Sequence, residues 1–418
     1  MKCYLFLCIC LFSPLSLLRA QEVYYPDSTS QDTVIKVNWL ERFQTKADSV
    51  IRHSDLCQTS QTGIYFYNLT ADSAIFDYGS RQMMRPASVT KTLTATAALH
   101  YLGGNYQYKT KLYYKGHIQD SLLLGDIYIV AGYDPCFNGK DMLTFCDDII
   151  KSGIDSICGH IYTDVSFKDT TLLGFGWLWN WKNDEKPTTP LLFDADDCFM
   201  TKFFELMDSN GIKHPSTYSN ALLPKDSVVL ISECQHTIDE VLLRMLKQSD
   251  NQYAESLFFQ LGAQDKSKFP SYQHSAKYVL NFIENELGDD ADLYNISDGS
   301  GLSVYDCVSP RLIVKLLRYI YKHENIYRHF YPCLPIGGED GTLSNRMKSP
   351  ALRGNIHAKT GTLKRVITLA GYCTAPNGDD IAFAIFHNGI YSPRATRLWD
   401  DHLLEFLTAP ETPSEIMN

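Results

Sequence analysis

The chain has 418 residues, 44% of them hydrophobic, and its 38 Lys and Arg against 48 Asp and Glu give a net charge of −10. This is the composition of a globular protein with room for two or three domains. The acidic balance, without any Lys/Arg-rich run, argues against a protein that binds nucleic acid.

The first twenty residues have the pattern of a secretory signal peptide. Lys2 is a short positive region, Tyr4 to Leu18 is apolar, and cleavage is predicted after Ala20. An uncleaved anchor stays open as an alternative, although Pro14 lies inside a run that is short for a membrane span. We therefore expect an exported protein, located in the periplasm either free or peripheral to the membrane.

Hydrophobic periodicity predicts the elements of the mature chain. An amphipathic helix is expected over 40–56, and alternating apolar residues predict a hairpin over 63–78. Pro86 begins a helix that Gly103-Gly104 should end. The later elements are three strands over 108–114, 118–124 and 126–131, helices over 199–210, 238–247, 314–330 and 393–407, and a hairpin that joins 366–373 to 381–386.

A change in hydrophobic periodicity and composition after residue 103 predicts an insertion. Strand-like segments and loops rich in Gly, Pro and Trp replace the helical periodicity, which is fully re-established near residue 238. We divide the mature chain into a main domain, residues 21–103 with 236–418, and an inserted β-rich domain, residues 104–235. The overall class expected is a mixed α/β (α+β) protein.

Three short motifs predict a serine acyl-transfer site that uses lysine as its base. They are Ser88-Val89-Thr90-Lys91, Ser249-Asp250-Asn251 and Lys359-Thr360-Gly361. This order of S-x-x-K, S-D-N and K-T-G is the signature shared by serine β-lactamases and penicillin-binding proteins. A single S-x-x-K is expected about once by chance in a chain of this length, so the specificity lies in the ordered set.

Four residues of the first two motifs have a predicted chemical role. The Ser88 hydroxyl is a weak nucleophile, and Lys91, three residues along the same helix face, can take its proton only when neutral. Burial and a like charge such as Lys359 would lower the pKa of Lys91. Ser249 could relay a proton to the leaving amine, and the amide of Asn251 could hold the substrate backbone.

The third motif predicts the substrate-binding strand. Lys359 and Thr360 would bind a terminal carboxylate, and Gly361 would let the substrate approach the backbone. The backbone N–H groups of Thr362 and Ser88 would form the oxyanion hole. This chemistry needs no cofactor, and since no H-E-x-x-H pattern occurs, no metal site is expected.

On these residues the chain resembles the D-alanyl-D-alanine carboxypeptidase/endopeptidases of the penicillin-binding protein 4 type, peptidase family S13. Other segments similar to that family's motifs are 125–127 with 132–135, 249–255, 298–303, and 341–346 with 358–363. The resemblance implies a DD-peptidase/β-lactamase-like fold, in which an antiparallel sheet flanked by helices and a helical subdomain enclose the site. It also implies an acyl-enzyme on Ser88, peptidoglycan stem peptides and cross-links as substrates, and β-lactams as covalent inhibitors.

Two departures from the family pattern and two competing functions stay open. The stretch between Ser88 and Ser249 is short for the family, and Asn180 stands where the family motif G-W-x-W-D has an acid. A serine β-lactamase is one alternative, although no glutamate between Ser249 and Lys359 lies in an E-x-x-x-N pattern. The other is a wall-binding or penicillin-sensing module without turnover.

Overall fold

The computed structural model describes residues 38–177, 186–265 and 269–409, so the predicted signal peptide and Asn180 lie outside the described residues. The helices, numbered in chain order, are α1 Trp39–Arg52, α2 Asp55–Thr59, α3 Thr90–Leu102, α4 Gly139–Lys151, α5 Phe199–Ser209, α6 Ile238–Lys247, α7 Asn251–Gly262, α8 Tyr272–Asn285, α9 Pro310–Lys322, α10 Glu324–Phe330 and α11 Pro393–Thr408. The strands are β1 Gln61–Asn68, β2 Ser73–Tyr78, β3 Gln107–Gln119, β4 Leu122–Val130, β5 Ser156–Ile157, β6 Ile161–Asp164, β7 Tyr218–Asn220, β8 Val229–Thr237, β9 His357–Leu363, β10 Val366–Thr374 and β11 Asp380–Asn388.

A five-stranded antiparallel sheet, in the order β2-β1-β11-β10-β9, forms the centre of the main fold. One face is covered by α1 and α11, whose Phe43 and Leu403 pack with Phe66 and Phe383 of the sheet. The opposite face packs against a helical layer that contains α3 and α6 to α9. The predicted antiparallel sheet flanked by helices is confirmed, and β9 is placed at the sheet edge.

A second sheet is built from residues 107–237, in the order β7-β6-β4-β3-β8 with β5 beside β4. The strands β3, β4 and β8 pair antiparallel, whereas β5, β6 and β7 join the sheet in parallel. Its apolar face packs on α4 and α5. We predicted three strands over 108–131, but the structure has two long ones. Gly116 and Gly125 are paired opposite each other, where a Cβ atom would overlap the partner backbone, so the antiparallel pairing continues without a break.

Two helix boundaries differ from the prediction. The first helix ends at Arg52 rather than continuing to residue 56, because the Ser54 side chain accepts a hydrogen bond from Cys57 N and begins α2. The predicted helix 314–330 is two helices, α9 and α10, on either side of His323. The predicted helices 199–210, 238–247 and 393–407 and both hairpins are confirmed.

The helix α7 was not predicted. Every residue from Gln252 to Gly262 is buried, so the helix has no solvent-facing stripe and its sequence lacks the amphipathic period on which prediction depends. None of the helices in the described residues is long and apolar enough to cross a membrane.

Candidate active site

Ser88 lies in a tight turn that leads into α3. Residues Ala87–Val89 form one 3-10 turn, and α3 follows directly at Thr90. The turn is held from two sides. Thr368 Oγ1 of β10 donates to the carbonyl oxygen of Pro86 at 2.7 Å, and a Cβ atom added at Gly301 would overlap the carbonyl oxygen of Ala87. The backbone that carries the nucleophile is therefore held in position by two segments distant in the sequence, β10 and the loop that contains Gly301.

Lys91 makes three hydrogen bonds with its ammonium group. Its Nζ lies 3.0 Å from Ser88 Oγ, 2.8 Å from Asn251 Oδ1 and 2.7 Å from the carbonyl oxygen of Ser300. The side chain is fully buried. The predicted contact between nucleophile and base is thus present, and Asn251 uses its amide oxygen here, which leaves its NH₂ group to donate to a substrate.

Burial lowers the pKa of Lys91 to about 8, against the opposing effect of the nearby carboxylates Asp298 and Glu255. We had expected the like charge of Lys359 to contribute to this shift. Burial is the cause at Lys91, and the repulsion between the two ammonium groups appears instead at Lys359.

Lys359 forms the second lysine–serine pair. Its Nζ donates to Ser249 Oγ at 2.9 Å and to the carbonyl oxygen of Thr360 at 2.8 Å. Burial, followed by the charge of Lys91, lowers the pKa of Lys359 well below its ordinary value. Ser249 itself has φ +62°, a left-handed conformation that turns the chain between α6 and α7 and aims its hydroxyl at Lys359.

A buried carboxylate holds the loop that supplies a partner to Lys91. Glu255 of α7 accepts hydrogen bonds from the backbone N–H groups of Ser300, at 3.0 Å, and Gly299, at 3.3 Å. Burial and the neighbouring Asp298 raise the pKa of Glu255 to about 8. Glu255 belongs to the S-D-N-x-x-A-E segment, which did not predict this role, although an acid within an otherwise apolar run was a usable signal.

Asp298 fixes the same loop from within. Its carboxylate accepts from the backbone N–H groups of Gly301, at 2.6 Å, and Ser303, at 2.7 Å. The indole Nε1 of Trp177, far away in the sequence, donates to Asp298 Oδ2 at 2.7 Å. Ser303 Oγ in turn donates to the carbonyl oxygen of Phe175 at 2.8 Å. The loop 298–303 is therefore tied to a segment of the region predicted as an insertion.

The strand β9 carries the third motif past the nucleophile. A Cβ atom at Gly361 would collide with Thr368 and come within 2.8 Å of the carbonyl oxygen of Pro86, so glycine allows this close approach.

The two threonine hydroxyls of β9 have different partners. Thr360 Oγ1 donates to Thr342 Oγ1 at 2.8 Å. Thr362 is exposed, and its hydroxyl accepts from Arg397 Nη2 at 3.1 Å. The structure thus brings all eight predicted residues together at one site and adds Arg397, which no sequence motif indicated.

Two lysine–serine pairs at the edge of an antiparallel sheet define a serine acyl-transfer enzyme of the penicillin-binding class. The chain belongs to the D-Ala-D-Ala carboxypeptidase 3 (S13) family, whose model matches residues 43–190 and 181–409. It is accordingly a serine-type hydrolase, as the resemblance indicated.

Individual relatives agree with this membership. The D-alanyl-D-alanine carboxypeptidase DacB of Haemophilus influenzae is 26% identical over 81% of this chain and 88% of its own length. The D-alanyl-D-alanine carboxypeptidase of Actinomadura sp. (strain R39) is 23% identical over 81% and 80%. The crystal structure of penicillin binding protein 4 (dacB) from Haemophilus influenzae superimposes with a TM-score of 0.75 at 24% identity, over 86% of this chain and 97% of that one. The penicillin G-acylated endopeptidase Bd3459 of Bdellovibrio bacteriovorus shares the fold, with a TM-score of 0.55 at 15% identity over 84% and 95%.

Proposed function

We propose that this protein is a serine-type D-alanyl-D-alanine carboxypeptidase and endopeptidase of peptidoglycan, with Ser88 as the nucleophile. The observation that carries the proposal is the 3.0 Å contact between Ser88 Oγ and the buried ammonium of Lys91, whose pKa is lowered to about 8. Family membership supplies the substrate class: the D-Ala-D-Ala ends of stem peptides and the cross-links made from them.

The reaction follows from the roles of these groups. Neutral Lys91 takes the proton of Ser88 Oγ as the oxygen attacks the D-Ala carbonyl carbon. The backbone N–H groups of Ser88 and Thr362 bind the oxyanion that forms. The proton taken up by Lys91 returns through the hydroxyl of Ser249, which Lys359 orients, to the leaving nitrogen as the C–N bond breaks. The amine departs as D-Ala or as the cross-linked diamino acid. Water then hydrolyses the acyl-enzyme and restores the free hydroxyl.

The remaining predictions complete the proposal. We infer that residues 104–235 are an insertion in the peptidase domain, supported by a separate sheet with its own apolar core. Residues 1–20 would direct export to the periplasm. The partners would be peptidoglycan and, as covalent inhibitors, β-lactams, without nucleic acid, metal or cofactor.

A β-lactamase has less support. In class A β-lactamases a glutamate activates the water that deacylates the enzyme, whereas Glu255 is buried with both oxygens bound to backbone amides. The proposal therefore predicts a lasting penicillin adduct on Ser88 rather than rapid turnover of penicillin.

The test uses a cross-linked muropeptide dimer that carries one pentapeptide stem, with Ser88→Ala protein as the control and mass spectrometry of the products. Conversion to monomers shows endopeptidase activity, and loss of a single D-Ala shows carboxypeptidase activity. A parallel incubation with benzylpenicillin should add one penicillin mass to the wild type and none to Ser88→Ala. Cleavage by the Ser88→Ala protein, or rapid penicillin hydrolysis without an adduct, would refute the proposal.

A further inference from the structure

Arg397 of α11 reaches the substrate-binding strand from outside the three motifs. Its Nη2 donates to Thr362 Oγ1 at 3.1 Å, and the side chain is half-buried. Thr362 and Thr360 are two residues apart on β9, so their hydroxyls lie on the same face of the strand. The guanidinium is thus bonded to the Thr362 hydroxyl, on the strand face that also carries Thr360.

The position of Arg397 is set by a neighbouring ion pair. Arg346 Nη2 donates to the carbonyl oxygen of Arg397 at 3.2 Å and pairs with Asp401 Oδ1 at 2.6 Å. Asp400 bonds instead to His387, with Oδ1 3.0 Å from Nε2. Among the described residues, no carboxylate lies within 4.0 Å of a nitrogen of Arg397. Its charge is therefore not paired directly, while the surrounding pairs keep the helix in place.

The proposed substrate carries a carboxylate that would lie near Arg397 and β9. The residue that leaves, whether terminal D-Ala or a cross-linked diamino acid joined through its D-centre, carries a carboxylate on the carbon next to the scissile nitrogen. The K-T-G motif predicted that Lys359 and Thr360 bind this carboxylate. Lys359, however, is fully buried and already donates to Ser249 and to the backbone of Thr360, and burial lowers its pKa well below the ordinary value.

We propose that Arg397 binds the carboxylate of the leaving residue, with the hydroxyl of Thr362 as a further donor. A guanidinium stays protonated at neutral pH and offers two parallel N–H groups that match a carboxylate. Arg397 is then the residue that makes the enzyme selective for a free carboxylate at this position. The inference rests on the proposed function, because it assumes D-Ala-D-Ala substrates.

The test compares two acyl-D-Ala-D-Ala substrates, one with a free C-terminal carboxylate and one with a C-terminal carboxamide. In Arg397→Gln, kcat/KM for the carboxylate substrate should fall by about 10- to 100-fold, since a charge-assisted hydrogen bond is lost. The carboxamide substrate should be cleaved at the wild-type rate. Arg397→Lys, which keeps a positive charge, should recover part of the loss. Arg394→Gln, an exposed arginine on the first turn of the same helix, is the matched control and should change neither rate.

The outcomes separate three cases. An equal fall for both substrates in Arg397→Gln would show that Arg397 only positions β9, and would overturn the inference. A preference for the carboxylate that persists in Arg397→Gln would also overturn it. If the wild type cleaves neither substrate and forms no penicillin adduct, the proposed function itself is wrong, and this inference is refuted with it.

Discussion

Lys91 and Lys359 occupy the same buried site, and each is bonded to a different serine, Ser88 in the first case and Ser249 in the second. Their surroundings differ. Asp298 and Glu255 partly oppose the effect of burial on Lys91, whose pKa falls only to about 8, whereas Lys359 meets burial and the charge of Lys91 together. The pKa of both lysines is therefore lowered, but the nearby carboxylates limit the shift at Lys91, the proposed base.

The first prediction concerns the pH dependence of acylation. Lys91 must be neutral to accept the Ser88 proton, so the second-order rate with benzylpenicillin should rise with pH and level off near the Lys91 pKa of about 8. Below that value the rate should fall about tenfold per pH unit. Acylation reactions that are quenched at defined times and measured by intact-protein mass spectrometry give the rate as a function of pH. Lys91→Arg stays protonated and should lose at least about 100-fold, and a flat wild-type profile would contradict the assignment of Lys91 as base.

A second prediction tests the packing behind the nucleophile. Gly301 has φ +81°, and a Cβ atom there would overlap the carbonyl oxygen of Ala87. Gly301→Ala should shift the Ser88 turn and slow penicillin acylation by about 100-fold, because small displacements at a reacting centre are costly. Gly378→Ala is the control, since Gly378 has φ +89° but no atom within 4 Å of the added Cβ. If both variants lose activity equally, the backbone conformation matters and the contact does not.

A third prediction follows from the buried Glu255. Its pKa is raised from 4.5 to about 8, so the folded protein holds a proton that the unfolded chain releases. The stability from this proton is present in full below pH 4.5 and is lost as the pH rises to about 8. Urea denaturation should show the wild type losing more free energy of unfolding than Glu255→Gln over that range. Parallel pH curves for the two proteins would mean that Glu255 is ionised in the fold.

The fourth prediction concerns the tie between Trp177 and Asp298. Trp177→Phe removes the indole donor and should lower the free energy of unfolding by about 1.5–3 kcal/mol, because the acceptor is a carboxylate. Acylation should slow as well, since the loop 298–303 positions the Ser300 carbonyl that binds Lys91. Trp399→Phe is the control, as the indole N–H of Trp399 has no hydrogen-bond partner among the described residues. Equal losses in both variants would show that ring size, and not the hydrogen bond, is responsible.

Local pattern predicted several elements whose physical cause is local, but it did not predict the amphipathic helices α4 and α8. The helix that carries Ser88 and Lys91 follows from Pro86, Gly103 and a three-residue spacing, and the structure has it, with Ser88 in a 3-10 turn at its start. The hairpin of β10 and β11 follows from alternation around a Pro-Asn-Gly turn. The helix α7 was beyond this reasoning, because burial on every side removes the periodicity.

The sequence by itself determined the reacting groups: two serines, two lysines and an amide, arranged in motifs whose order identifies the class of enzyme. Only the tertiary structure decided how those groups are tuned. The contacts of Lys91 with Ser300, of Trp177 with Asp298 and of Arg397 with Thr362 join residues far apart in the chain. Burial and long-range hydrogen bonds set a pKa or fix a loop through what surrounds a side chain in space, and a linear pattern does not contain that information.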